Sequence, residues 1–378
     1  MKDNCTPKPF RVSPEVNFFR KKINEIGCSN QLAALHQKAT WVSLYWLFLD
    51  ICIIILCSVA FYLSPLLFPV CGVLAGSSMK ALTNHCHDAS HNNIFKELKY
   101  NRWLAKFFLM PLMFLDYKIY HLEHGLHHGE LASKCDPDAV IRIPDIKSSY
   151  SDIRAFLIVI LPDIFNFKFW VKSTFGWLFK VKGLARVYIL LWWLGLFTAI
   201  SALFGLTAGT SFLIFWFLTR ATVFHLIKVY DEACDHAYLN GNSIVKATRS
   251  MPNNLLTPLL YPENDNFHIA HHLFPGIPMP NLKEAHKLLM NIKEYRDGEH
   301  LNAFFFGKNS VLKSLIGRNK AVSIVHPEPL KPVLMTSMAH YKMNPEKEGY
   351  ALPSLASTTI HDFYEAASYC SPEEWILI

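Results

Sequence analysis

The apolar positions of this chain fall in long, nearly charge-free blocks, the pattern of helices that cross a lipid bilayer. Trp41 to Asn84 is long enough for two spans of about 20 residues each, and Pro65 predicts the turn between helices near 41–63 and 66–84. A third block, rich in Leu and Trp, predicts a span near 187–206, and a fourth runs from Phe212 into Val229, near 212–229. Only Gly-Leu-Thr-Ala-Gly-Thr-Ser lies between these two, and it reads as their turn. Two shorter stretches differ: Phe107 to Leu115 is too short to span, and 153–170 is broken by Pro162 and Asp163, so both are expected at the membrane interface. Beyond Pro280 the pattern becomes soluble, with Leu282, Ala285, Leu288, Leu289 and Ile292 on one face of an amphipathic helix.

Charge then orients the helices. Lys96, Lys99, Arg102 and Lys106, and later Lys168, Lys172, Lys180, Lys182 and Arg186, all fall on one predicted side, while the turns at Pro65 and at 205–211 carry no charge. By the positive-inside rule both termini face the cytosol. Residues 1–40, with Arg20, Lys21 and Lys22, read as a cytosolic lead-in with at most a short amphipathic helix, and residues 296–378 as a polar cytosolic extension.

Composition agrees with this reading. The 378-residue chain has 51% hydrophobic and 18% charged residues, where about a quarter charged is usual, which is too apolar for an ordinary soluble enzyme. The net charge of +7 sits at the edges of apolar runs, where it suits anionic head groups, so nucleic acid is set aside as a partner. Nine cysteines with no CxxC pair give neither a disulfide framework nor an iron–sulfur motif and read as reduced thiols, several packed as small hydrophobes.

Candidate chemistry lies in the histidines. His87 and His91 are four apart, so on a helix continuing the second span they share a face. The spacing HxxHH occurs twice, at His124, His127 and His128 and at His268, His271 and His272. In each copy the first and last histidines bind from one face and the middle one can serve a neighbouring metal, so two nearby metals are easier to satisfy than one. His85, on the other side of its helix, is a weaker candidate, whereas His121, three residues before His124, shares its helical face.

A single histidine is ordinarily structural, and the isolated His36, His286, His300, His326, His340 and His361 read as surface residues. Two copies of HxxHH plus HxxxH on one membrane side point instead to a metal site. Near the end of the fourth span His225, Glu232 and His236 fall on one helical face, but the two histidines are about 16 Å apart and cannot share one ion. His236 is the better ligand candidate, and His225 reads as a core histidine bonded to a neighbouring helix. Imidazole suits iron, copper, zinc and nickel, which leaves the metal open.

With these residues the chain resembles the integral-membrane fatty acid desaturases, a family that also contains hydroxylases and ketolases. The matching pieces are His87-Asp88-xx-His91, HxxHH at 124–128 followed by Asp136-Pro137-Asp138, the pair Asp235-His236, and His268-xx-His271-His272-Leu-Phe-Pro-Gly-Ile-Pro with Asn281-Leu282 after it. The resemblance covers roughly 41–295. It implies an all-α membrane protein with four transmembrane helices and a cytosolic histidine-ligated metal-binding cap.

It further implies two iron ions held by His87, His91, His124, His127, His128, His236, His268, His271 and His272, with Glu232 as a contact made directly to those ligands or through water. O2 would be the co-substrate and a lipid acyl chain the substrate. Neither a haem-binding His-Pro-Gly-Gly segment nor an iron–sulfur cysteine set occurs in the sequence, so a separate donor of the cytochrome b5 or ferredoxin type is implied. Desaturation leads, with hydroxylation or ketolation as the alternative. A histidine-rich metal transporter is the reading from another class, although transporters place ionisable groups near mid-membrane. Asp50 and Arg220, charges inside the first and fourth spans, lie at similar depth and are expected to form a buried ion pair, the alternative being that the fourth helix projects and Arg220 snorkels.

Overall fold

The computed structural model describes residues 14–129, 131, 136, 150–236, 239 and 243–315. Four helices are long and apolar enough to cross a membrane: Thr40–Leu63, Pro65–Ser90, Gly183–Phe204 and Leu206–Asp235. The protein is therefore mostly helical and multi-pass. Two of these helices run further than the apolar pattern predicts. The second span continues through Ser90 and carries His85 and His87 with it.

The third and fourth spans are separated by Gly205 alone, whose φ of +90° reverses the chain. Small polar residues after it look like a turn in sequence but are helical, because the helices pack closely there. A Cβ on Gly209 would come within 2.1 Å of Ser201 Oγ.

Helices Leu98–Leu104 and Met110–Leu112 flank a π turn at Ala105–Leu109, and a second π turn, Arg220–Phe224, lies within the fourth span. Such irregular turns leave carbonyls without helical partners, which is costly away from water. Tryptophans supply the missing donors. Trp192 Nε1 donates to the carbonyl of Phe107, four residues before Pro111, which has no N–H to offer it. Trp193 Nε1 donates to the carbonyl of Pro111, and Trp170 Nε1 to that of Ala221, each at 3.0 Å.

The expected Asp50–Arg220 pair does not form. Arg220 is buried and donates to the carbonyls of Thr174 at 2.7 Å and Ser173 at 2.8 Å. These belong to the last turn of helix Phe167–Phe175, so the guanidinium serves a helix C-terminus whose carbonyls lack partners. Asp50 instead faces His85 of the second span, at 3.6 Å. Equal depth did not mean a shared face.

Lys80 of the second span is a further charge among the apolar helices. It is buried and pairs with Asp231 of the fourth span at 3.0 Å and Asp265 of the cap at 2.7 Å.

One hydrophobic core fills the bundle around Met79, Leu82, Leu109, Phe215 and Trp216. Another joins the N-terminal segment to the cap: helix Pro14–Glu25 buries Val16, Phe19 and Ile23 against Phe274, Leu282 and Tyr295. The lead-in is thus more than a short amphipathic helix, since Ser29–Leu35 follows as a second helix and Glu15 accepts hydrogen bonds from Ser243 Oγ and the Ile244 amide. The amphipathic helix expected after Pro280 is Met279–Leu289, with Leu282, Ala285, Leu288 and Leu289 buried. Strand Arg249–Ser250 pairs in parallel with Glu299–His300. The described cysteines, at 28, 52, 57, 71, 86 and 234, are free thiols.

Candidate metal centre

The helices bring the predicted histidines together at one end of the bundle. His87 and His91 close the second span, while His124, His127 and His128 lie on helix Tyr117–Gly129. His236 follows the fourth span directly, and His268, His271 and His272 lie on helix His268–Leu273. Asn93, two residues past His91, donates to the carbonyls of Pro275 and Ile277, tying the first histidine pair to the loop after the last cluster.

Two adjoining groups result. His87, His91, His124, His128 and His271 place one nitrogen each within 4.8 Å of one another. Within this group the Nε2 atoms of His91 and His124 are 2.7 Å apart, and those of His124 and His128, and of His128 and His271, are 3.1 Å apart. The second group contains His127, His236 and His272. His268 Nε2 joins it at 3.1 Å from His236 Nε2 and 3.2 Å from His272 Nε2. The rings of His128 and His272 stack with centroids 4.4 Å apart where the groups meet.

Each HxxHH therefore divides as its helical spacing predicts. His124 and His128 enter the first group and His127 the second, whereas His268 and His272 enter the second and His271 the first. The crossing interlocks the two groups.

Several partners aim the rings. Asp136 Oδ1 lies 2.8 Å from His127 Nδ1, and the Ala247 carbonyl lies 2.9 Å from His236 Nδ1. Each oxygen accepts the Nδ1 proton, leaving an Nε2 lone pair directed at the centre. Asp235 Oδ2 is 3.8 Å from His268 Nε2, and Tyr261 donates to the other oxygen of that carboxylate. The sequence showed Asp136 as part of a motif but not as the orienter of His127, and nothing in it pointed to the Ala247 carbonyl.

Burial, reinforced by neighbouring imidazoles, pushes His236 and His271 down to about 3 and holds His91, His124, His128, His268 and His272 well below the usual imidazole range. Neutral imidazoles are the form that binds metal. Convergent Nε2 atoms cannot all satisfy one another, because a neutral ring whose Nδ1 carries the proton has only an acceptor at Nε2. His87 Nδ1 is likewise buried without a hydrogen-bond partner. The donor set fits two borderline transition-metal ions better than any protein-only hydrogen-bond network.

The remaining expected residues are also placed. Glu232 is held by Lys228 at 3.2 Å and Lys172 at 3.8 Å. His121 stacks on Tyr117 outside both groups, and His85 faces away from them toward Asp50 and Glu263. His225 is a core histidine, bonded to Ser173 Oγ at 2.7 Å and the Ile164 carbonyl at 2.9 Å. His36, His286 and His300 are half-buried rather than surface residues: His36 packs on Phe274, and the other two pack on Tyr295. His326, His340 and His361, and Pro137 and Asp138 of the motif, lie outside the described residues.

A bundle of membrane-length helices ends in paired groups of neutral imidazoles, clusters suited to a two-metal site. The family model for fatty acid desaturases matches residues 63–301, and the chain belongs to that family. It is 26% identical over 319 residues to the dihydrorhizobitoxine desaturase of Bradyrhizobium elkanii, a match covering 75% of this chain and 82% of the relative.

Proposed function

We propose that this protein is an O2-dependent di-iron desaturase that introduces a double bond into a lipid acyl chain. The observation that carries this reading is the division of the imidazoles into two interlocked groups. His87, His91, His124, His128 and His271 hold one iron, and His127, His236, His268 and His272 hold the other. Bound iron supplies the O2 activation and redox change needed to remove hydrogen from an unactivated methylene, chemistry that zinc lacks.

The chain's own residues prepare the site. Asp136 and the Ala247 carbonyl fix ring orientation, and burial keeps the imidazoles neutral. Glu232, one turn before His236, contributes as a contact bridged by water, with Lys228 and Lys172 restraining it. In overall balance, a pair of adjacent methylenes, O2, two electrons and two protons give an alkene and two waters. A separate cytochrome b5- or ferredoxin-type donor supplies the electrons on the cytosolic side, where the positive-inside rule puts both termini and the histidines.

Hydroxylation or ketolation on the same ligands is the alternative, since the product depends on how the substrate lies. A second substrate reading has its own support: the relative from Bradyrhizobium elkanii is named for dihydrorhizobitoxine, not for a fatty acyl chain. Expression in a host with a simple lipid profile, followed by mass spectrometry, tests the proposal. Desaturation gives lipids lighter by two hydrogens, hydroxylation gives lipids heavier by one oxygen, and an unchanged profile with iron fully loaded excludes lipid acyl chains of that host as substrates.

A further inference from the structure

Asp50, His85 and Glu263 form a third convergence of metal-ligating side chains, outside the nine histidines of the proposed iron site. They come from three elements: the first span, the second span, and the turn Pro262–Asn264 before the last histidine cluster. His85 and His87 are two residues apart on one helix, so they point to nearly opposite sides. His85 Nε2 lies 2.7 Å from Glu263 Oε1 and 3.6 Å from Asp50 Oδ2, and all three ligand atoms fall within 4.8 Å.

His85 Nε2 and Glu263 Oε1 meet at ion-pair distance but outside hydrogen-bond geometry, both atoms are buried, and the His85 side chain is only 3% exposed. Buried polar atoms are rarely left so, and a missing ion is one of the few explanations for it. The backbone agrees, because Glu263 and Asn264 both occupy the left-handed region, at φ of 64° and 65°. Strain of that kind at non-glycine residues is kept where a side chain must be aimed.

Asp50 lies ten residues into the first span, about 15 Å along the helix. An ionisable group at such depth needs a partner. Arg220, the expected one, is occupied elsewhere, and Asp50 faces His85 instead.

We propose that Asp50, His85 and Glu263 bind a third divalent first-row cation, distinct from the iron pair. One neutral imidazole and two carboxylates are a hard-to-borderline donor set suited to zinc, manganese or ferrous iron, and a dication balances the two negative charges. Glu263 stands five residues before His268, so the ion pins the segment leading into the last histidine cluster onto the first two spans.

The test is zinc binding to metal-stripped, full-length protein in nanodiscs, counted per chain by elemental analysis after desalting. The wild type is expected to hold three zinc ions, and the double variant Asp50→Asn with Glu263→Gln to hold two. A wild type holding two, or a double variant still holding three, overturns the proposal. If the variant does not fold, anomalous scattering at the zinc edge from the unaltered protein decides. A peak bonded to all three side chains supports the site, and its absence overturns it. A wild type with zinc here but none among the nine histidines would break the iron-site reading and leave this one standing.

Discussion

At the residue scale, the nine histidines act only if each ring presents a free nitrogen, and the groups behind the rings decide that. Asp136 behind His127 is the clearest case, because its carboxylate fixes which nitrogen faces the second group. Replacing it, Asp136→Asn, is expected to weaken metal retention about 10- to 100-fold, measured by competition with a chelator, while the first group keeps its ion. Protonation gives a second outcome. His236 and His271 stay neutral in the folded, metal-free chain down to about pH 3, whereas unfolded histidine takes up protons from about pH 6.5 downward. The unfolded state binds more protons across that interval, so stability from these groups is present above about pH 6.5 and lost as pH falls toward 3. Denaturation of metal-free protein in detergent should show a midpoint that is flat above about pH 7 and falls below about pH 6. The histidines themselves were legible because a spacing of four repeats on a helix face. Asp136 was not, because its role depends on how the chain returns eight residues after His128.

At the element scale, irregular turns within apolar helices are tolerated only where donors are brought to the freed carbonyls. Trp170 serves the Ala221 carbonyl in the π turn of the fourth span. Trp170→Phe keeps the ring's packing and removes the donor, which is expected to cost about 1–3 kcal/mol and to lower the thermal midpoint without changing metal content. Apolar blocks reported the four spans well, since length and charge exclusion are properties of the sequence itself. They did not report π turns, which arise from packing, nor the ends of the helices. Gly205 reverses the chain in one residue because of its positive φ, a conformation the small residues after it concealed. The Asp50–Arg220 expectation failed for a related reason: counting residues gives depth along a helix, whereas pairing also needs the right rotation and neighbours. Arg220 turned toward the carbonyls at the end of Phe167–Phe175 instead.

At the scale of the whole molecule, the cap and the bundle are fastened at several points, one of them ionic. Lys80 joins the second span to Asp231 of the fourth and to Asp265, three residues before His268. Lys80→Met would leave buried Asp265 without its cation, while Asp231 keeps Lys228 at 2.9 Å, an expected loss of about 3–5 kcal/mol that should appear as lower yield of folded protein and looser metal binding. The N-terminal helices and residues up to Leu315 add further cover, though the family match spans only 63–301. The central claim is that two interlocked imidazole groups hold an iron pair whose chemistry desaturates a chain substrate. It is tested most directly by measuring iron content and lipid products on the same preparations of wild type and His271→Ala. Two irons per chain with dehydrogenated product are expected in the wild type, and iron loss from the first group with no product in the variant. Undiminished product from a His271→Ala protein would contradict it, as would turnover by wild type carrying no iron.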